Sequence, residues 1–477
     1  MRGFLASSVG VTCAAALALP LTLPAPAQAG PSAVTSETSV PGSTQSLPLV
    51  PLTGARALGG AAPEQGLRPR DVRPFSLVGV VWDDPGSELR GRVQVRTRAA
   101  GTGHWSGWQD VDTHNHEHGA DPDTAEGASR RVRGATAPLW VGDSDGVEVR
   151  VDADQTTARG APRGTAEAGG DNGGDTGRDA GGGSGSGKRA GAGQGTPLPK
   201  GLHLELVDPG GPAERVDVRP AARAGGAPVA TRAGSVRAGA ADGLPSAGAT
   251  EISALSQQET ERQYLTADPA APRVKPYIGA RPRIITRKGW GANEKLRERG
   301  FVYTKKVKAA FVHHTASGNN YSCSQVPSLI RSIYRYHVVS SGWRDIGYNF
   351  LVDKCGNIYE GRAGGVAKPV LGAHTLGFNT DSMGIAVLGT FQNTKPTDAS
   401  LKAIARLTAW KLGLYGGNPR GTTYLKSGGG NLYGKGKNVR LNVISGHRDG
   451  FATECPGRLL YGKLGSARTT AARYQGR

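Results

Sequence analysis

Between about Arg70 and Val207, apolar residues recur at every second position. "FSLVGVVW" (Phe75–Trp82), "GRVQVRTR" (Gly91–Arg98), "GVEVRVD" (Gly146–Asp152) and "GLHLELV" (Gly201–Val207) alternate apolar with polar or small side chains. Period two turns one face of a strand to a core and the other to water, so these stretches predict half-buried strands. Gly, Pro and Asp punctuate them, and the block predicts an all-β, sandwich-like domain. From about Arg281 the pattern changes. "KAAFVHHTA" (Lys308–Ala316) reads as a short buried strand ending in two histidines. "SQVPSLIRSIYRYHV" (Ser324–Val338) places Val326, Leu329, Ile330, Ile333, Tyr334 and His337 at helical spacing. "DIGYNFLVDKCGNIYEGR" (Asp345–Arg362) reads as two strands around a turn at Lys354–Asn357, and "SMGIAVLGTF" (Ser382–Phe391) as another strand. "TDASLKAIARLTAWKLGLYG" (Thr397–Gly416) predicts a helix capped by Thr397 or Asp398, and "NVISGH" (Asn442–His447) a last strand. Strands alternating with helices predict an α/β domain.

Other stretches carry no period. Residues 1–29 have Arg2, an Ala/Leu-rich run and an Ala27-Gln28-Ala29 cleavage site, and predict a signal peptide and export. Residues 30–69 read as a spacer, 208–280 as a linker with a helical patch near "ALSQQETERQYL", and 466–477 as a tail. A Gly-rich insertion, about 156–199, interrupts the β domain of 70–207 and is predicted to be disordered. The α/β domain then spans 281–465. With 73 glycines and only 6% aromatic residues, much of the chain is read as linker.

Charge separates the two halves. Pro276–Arg477 holds 31 Lys and Arg against 9 Asp and Glu; the remainder, by subtraction from 58 and 39, holds 27 against 30. A basic C-terminal module on a near-neutral support points to anionic partners. Outside a cell these are wall polymers or lipid head groups rather than nucleic acid.

Cys13 leaves with the signal, so the mature chain keeps Cys323, Cys355 and Cys455. Three thiols cannot all pair within one chain, which leaves one for a metal, catalysis or an intermolecular bond. His313 ends one predicted strand, His447 ends another, and Cys455 sits in the loop "GHRDGFATECPG" that follows. Two strand ends and a loop can converge, and two imidazoles with a thiolate suit a catalytic zinc that keeps a fourth position open. "HNHEH" (His114, His116, His118) reads as a solvated loop rather than a metal site, because an acidic Gly/Asp-rich stretch follows it. Trp105 and Trp108 read as core or edge aromatics.

"WGANE" (Trp290–Glu294), "FVHHTA" (Phe311–Ala316), "GWRDIGYNFLVDKCGNIYEGR" (Gly342–Arg362), "GAHTLGFNTDSMGIAVLGTF" (Gly372–Phe391) and "GHRDGFATECPG" (Gly446–Gly457) resemble the peptidoglycan recognition proteins and the type 2 amidases that share their fold. The resemblance covers about residues 281–465. It implies a mixed central sheet flanked by helices, and a secreted zinc N-acetylmuramoyl-L-alanine amidase acting on peptidoglycan with one Zn²⁺ per catalytic domain. Carried over by position, the ligands are His313, His447 and Cys455, and Tyr348 and Thr453 are the catalytic candidates. Members that only bind peptidoglycan lack the cysteine that stands here at Cys455. His374 and Asn379 resemble groove positions near the metal. His337 is either core or groove wall or a substrate contact, and Arg362 either meets a peptide carboxylate or pairs with Glu360. With Cys455 on the metal, Cys323 and Cys355 are left to form a disulfide, a pairing that the sequence alone does not fix.

Two other readings use the same residues. One is peptidoglycan recognition without turnover. The other is a cysteine peptidase with Cys455 as nucleophile. The further expectations are a monomer without a transmembrane segment, and anionic wall polymers as additional partners.

Overall fold

The computed structural model describes residues 41–52, 64–154, 197–211, 248–267 and 276–477. The expected signal peptide and nearly all of the Gly-rich insertion lie outside them. The N-terminal strands are β1 (Ser43–Pro48), β2 (Val50–Pro51), β3 (Glu64–Trp82), β4 (Gly91–Ala99), β5 (Gln109–Val111), β6 (Gly134–Ala135), β7 (Leu139–Ala153) and β8 (His203–Asp208). They form one antiparallel sheet in the order β1-β8-β3-β7-β4-β5, with β2 and β6 on β3. Register shifts along β3 bend the ladder. The sheet's own strands and flanking loops enclose a core that includes Phe75, Val78, Val80, Val93, Val149 and Leu204. Two expectations need correction. Strands β1 and β2 and the start of β3 occupy part of the expected 30–69 spacer. And Phe75–Trp82 is buried on both faces rather than half-buried.

The second face is buried because a helix of the C-terminal domain covers it. That domain contains β9 (Glu251–Ile252), α1 (Gln257–Ala267), β10 (Ile284–Ile285), α2 (Arg287–Trp290), β11 (Ala309–His314), α3 (Val326–Arg335), β12 (Phe350–Val352), β13 (Ile358–Glu360), β14 (Ser382–Val387), α4 (Asp398–Gly413), β15 (Thr422–Lys426), β16 (Asn438–Asn442), β17 (Ile444–Gly446), α5 (Arg458–Tyr461) and α6 (Leu464–Tyr474). Its mixed sheet runs β17-β11-β14-β12-β13-β10-β9, parallel from β17 to β12, and β15 and β16 form a separate hairpin.

Helices cover both faces of this sheet. Ile404, Leu407 and Leu412 of α4 and Leu464 and Ala471 of α6 pack with Val312, Phe350 and Ile385. On the other side, Leu329, Ile330 and Ile333 of α3 pack with Leu351 and Ala386 and also with Leu77, Val81 and Val207 of the N-terminal sheet. Helix α3 is therefore shared by two cores. Gly79 permits the contact, since a Cβ there would stand 2.3 Å from the Tyr336 hydroxyl oxygen. That hydroxyl donates to the carbonyl of Thr136 at 3.1 Å. Thr397 caps α4, its side chain accepting from the Ser400 N–H. The last residues of the expected linker supply β9 and α1, and the expected 466–477 tail is the body of α6, with Ala467, Ala471 and Ala472 buried.

Candidate metal centre

Strand register builds the site. Strands β11 and β17 are parallel, and Val312 pairs with Gly446, so the residues that follow, His313 and His447, emerge side by side. Their ring centroids are 4.5 Å apart. The chain then makes a short turn at His447–Asp449 and returns Cys455 to the same point, its Sγ 3.8 Å from His313 Nδ1.

A fourth donor arrives from the N-terminal half. His118 Nε2 is 3.8 Å from Cys455 Sγ, and its ring lies 4.5 Å from that of His447. One donor atom from each of His118, His313, His447 and Cys455 lies within 4.8 Å of every other. Neighbouring donors of a tetrahedral zinc site stand roughly 3.3–3.8 Å apart, given bonds of about 2.0–2.3 Å, so the set fits that ion. Both ring nitrogens of His447 and Nδ1 of His118 are buried without a hydrogen-bond partner. Orphaned buried nitrogens are costly, and a cation held between these donors would satisfy one of the two on His447.

Electrostatics agree with this chemistry. Burial, then the neighbouring imidazoles, pushes His118, His313 and His447 well below the usual histidine range, so all three are neutral and able to ligate. Burial pushes the Cys455 thiol up, a shift that a bound cation would offset by favouring the thiolate, whereas a nucleophilic cysteine needs the opposite shift. Around the donors, the Thr375 hydroxyl lies 3.4 Å from His313 Nε2 and 3.0 Å from His374 Nδ1. It links the two rings and orients the first.

The other residues singled out in the sequence divide into two groups. Tyr348 is buried beside the cluster, its ring 5.6 Å from that of His313, and burial with the Cys455 thiol raises its hydroxyl well above the usual tyrosine range. His374 is buried 5.3 Å, ring to ring, from His313. His337 instead stacks on Trp343 at 4.4 Å and accepts from the Gly347 N–H, a wall role. Cys323 and Cys355 are disulfide-bonded.

The remaining three are held by the segment that carries His118. Thr453 donates to Glu117 at 2.7 Å. Asn379 Nδ2 donates to Asp121 at 2.8 Å, and its Oδ1 accepts from the His374 N–H. Arg362 forks onto Glu126 at 2.7 and 2.9 Å. The expected Arg362–Glu360 pair does not form; Glu360 accepts from the backbone N–H of Arg287. The solvated loop expected at "HNHEH" is likewise corrected. His114 is exposed, but Glu117 and His118 are buried at 1% and 7% exposure. The acidic stretch that suggested solvent finds its partners on the C-terminal domain, at Asn379, Lys435 and Arg362. Trp105 and Trp108 lie on the N-terminal sheet beneath Arg96, as edge aromatics.

Comparison with known proteins assigns the family. Residues 303–458 match the N-acetylmuramoyl-L-alanine amidase family model, and residues 29–169 match a model described as Rv3811 N-terminal galactose-binding domain-like. Peptidoglycan-recognition protein SC2 of Drosophila melanogaster is 30% identical over 183 residues, covering 38% of this chain and 84% of the relative. Peptidoglycan-recognition protein SC1a of the same fly is 30% identical over 192 residues, covering 39% and 87%. Among solved structures, Drosophila PGRP-LB aligns with a TM-score of 0.31 at 26% identity, covering 38% of this chain and 92% of that one. The chain belongs to the peptidoglycan recognition protein and type 2 amidase family.

Proposed function

We propose that the protein is a zinc-dependent N-acetylmuramoyl-L-alanine amidase, hydrolysing the amide between the lactyl group of muramic acid and L-alanine in peptidoglycan. The observation that carries this reading is the convergence of His313, His447 and Cys455, with both nitrogens of His447 unpaired. A zinc ion held there supplies Lewis acidity, which activates water near neutral pH and polarises a carbonyl. The protein's own groups do the rest. Thr375 orients His313. The Tyr348 hydroxyl stays protonated at neutral pH, which supports a role as donor to the oxyanion that would develop on the scissile carbonyl. Thr453, once free of Glu117, is a second donor at the rim.

A second reading, recognition without turnover, is favoured by one observation: with His118 in place the donor set numbers four, and closed four-ligand zinc sites are usually structural. The amidase is proposed to act outside the cell, with the basic C-terminal module meeting anionic wall polymers. Among the described residues no helix is long and apolar enough to cross a membrane. The test is to incubate zinc-loaded protein, as the full chain and as His118→Ala, with purified peptidoglycan and to identify the new ends. Free L-alanine amino termini that vanish with chelator and return with Zn²⁺ support the amidase. Binding without new termini in both forms supports recognition.

A further inference from the structure

The chain leaves the N-terminal sheet after β5, crosses the C-terminal domain as residues 112–133, and returns at β6. From Asp112 to Ser129 it holds five acids, Asp112, Glu117, Asp121, Asp123 and Glu126, and no Lys or Arg. It is an acidic strap on the basic half of the protein.

Its contacts run along residues beside the candidate metal centre. The Glu117 carbonyl accepts from the Leu376 N–H at 2.9 Å, and Asp121 accepts from the Gly377 N–H at 2.7 Å. The Gly119 carbonyl accepts from Asn379 at 2.8 Å, and Glu126 also accepts from the Arg344 N–H at 3.1 Å. Farther along, Arg131 pairs with Glu298, and the Arg133 N–H donates to the Ser341 carbonyl at 3.1 Å. Thr453, Asn379 and Arg362, three candidate catalytic or substrate positions, are thus all taken by one strap.

Domain docking does not require this. The apolar contact between the two halves lies elsewhere, where Leu77, Val81, Ala135 and Val207 meet α3. The strap instead buries three carboxylates and an imidazole, and leaves Glu117 Oε2 and His118 Nδ1 without a hydrogen bond, with His116 Nδ1 standing 3.6 Å from the former. Buried polar groups that lack hydrogen bonds are destabilising, an arrangement poorly suited to stabilising an interface but well suited to occupying a polar site.

We propose that His118 is a fourth protein ligand of the metal centre and that residues 112–133 are a built-in plug of the groove. The site is then closed as folded, and the protein is latent until the strap is displaced. This rests on the zinc reading above. Removing the strap would open the one coordination position that a catalytic zinc keeps free.

The test uses the full chain with Co²⁺ in place of zinc and acetohydroxamate as the probe for an open position. Three forms are compared: wild type, His118→Ala, and the double variant Asp121→Asn/Glu126→Gln, which keeps the imidazole but loosens the strap. In wild type the visible cobalt spectrum should not respond to millimolar acetohydroxamate. In His118→Ala the spectrum should differ before any addition and shift when acetohydroxamate is added. The double variant should start with the wild-type spectrum and respond at lower probe concentration than wild type does. A folded His118→Ala that no longer retains Co²⁺ also identifies the imidazole as a ligand. If that variant fails to fold, the double variant decides. A wild-type spectrum that shifts at the same probe concentration as the variants overturns the proposal, as does an unchanged spectrum in His118→Ala. L-alanine release from peptidoglycan, measured on the same samples with zinc, keeps the two readings apart. Equal release by wild type and His118→Ala overturns the plug and leaves the amidase. An opened cobalt site with no release in any form leaves the plug and overturns the amidase.

Discussion

Cys455 Sγ lies 3.8 Å from His118 Nε2, although 337 positions separate the two residues in the chain. One belongs to the loop after the last strand of the α/β sheet, the other to an excursion from the N-terminal sheet. Their meeting joins the halves of the protein at the candidate metal centre.

Cys455→Ser tests the thiolate. A serine hydroxyl is a far poorer zinc ligand than a thiolate. Altering groups that merely hydrogen-bond to zinc ligands costs about 10–100-fold in affinity. Losing Cys455 itself should weaken zinc binding by more than about 100-fold, read by competition with a fluorescent chelator. Unchanged affinity would remove Cys455 from the ligand set.

Tyr348→Phe tests the oxyanion donor. The Tyr348 ring is buried 5.6 Å, centroid to centroid, from that of His313, and a lost oxyanion donor costs about 10²–10³ in turnover. Made in the His118→Ala background, the substitution should lower kcat by that factor, with bound zinc still stoichiometric. A loss of zinc along with activity would make Tyr348 structural instead.

Arg362 and Glu126 form a buried pair at 8% and 6% side-chain exposure. Burial alone would raise the Glu126 carboxyl, but Arg362 outweighs it and holds the group below the usual range. Removing one partner of such a pair strands a charge and typically costs about 3–5 kcal/mol. Arg362→Met should therefore destabilise the folded chain strongly in urea, and Arg362→Met with Glu126→Met much less. Additive losses in the double variant would show that the two side chains do not interact.

The metal-free protein should lose stability in acid well before its carboxylates protonate. Burial, with Arg362 adding, pushes His337 and His374 down to about 3, and burial pushes His314 to about 4. Unfolded imidazoles take a proton near 6.5, so below that pH the unfolded chain binds protons that the folded one refuses. The contribution of these histidines is fully present above about 6.5 and falls as pH drops from there toward 3–4. Urea midpoints measured from pH 8 to pH 4 should decline most steeply below about 6.5. A flat profile over that window would mean that these rings are hydrated.

Much of the C-terminal half was legible in the sequence because its signals are local. Period-two and helical spacing marked β11, β14, α3 and α4, and the parallel register that brings His313 beside His447 needs only two strand ends. The disulfide followed once Cys455 had another role. The strap was not legible, because each of its polar residues looks solvated until its partner is known. Those partners, Arg362, Asn379 and Thr453, lie 236 to 336 positions away. Helix α6 was missed for a related reason. Its buried face is largely alanine, a weak periodic signal that becomes a packing surface only against α4. Strand β1 was missed because "STQSLP" carries little apolar pattern and is held mainly by its ladder to β8.

The most direct measurement is hydrolysis of a defined muramyl peptide by zinc-loaded His118→Ala in H2(18)O, read by mass spectrometry. Cleavage of the acyl–nitrogen bond by water should place one heavy oxygen in the lactyl carboxylate and none in the peptide, which leaves with a free L-alanine amine. Chelator should abolish the reaction and Zn²⁺ restore it. An intact muramyl peptide at full zinc occupancy, or cleavage within the peptide that a chelator leaves unchanged, would contradict the account.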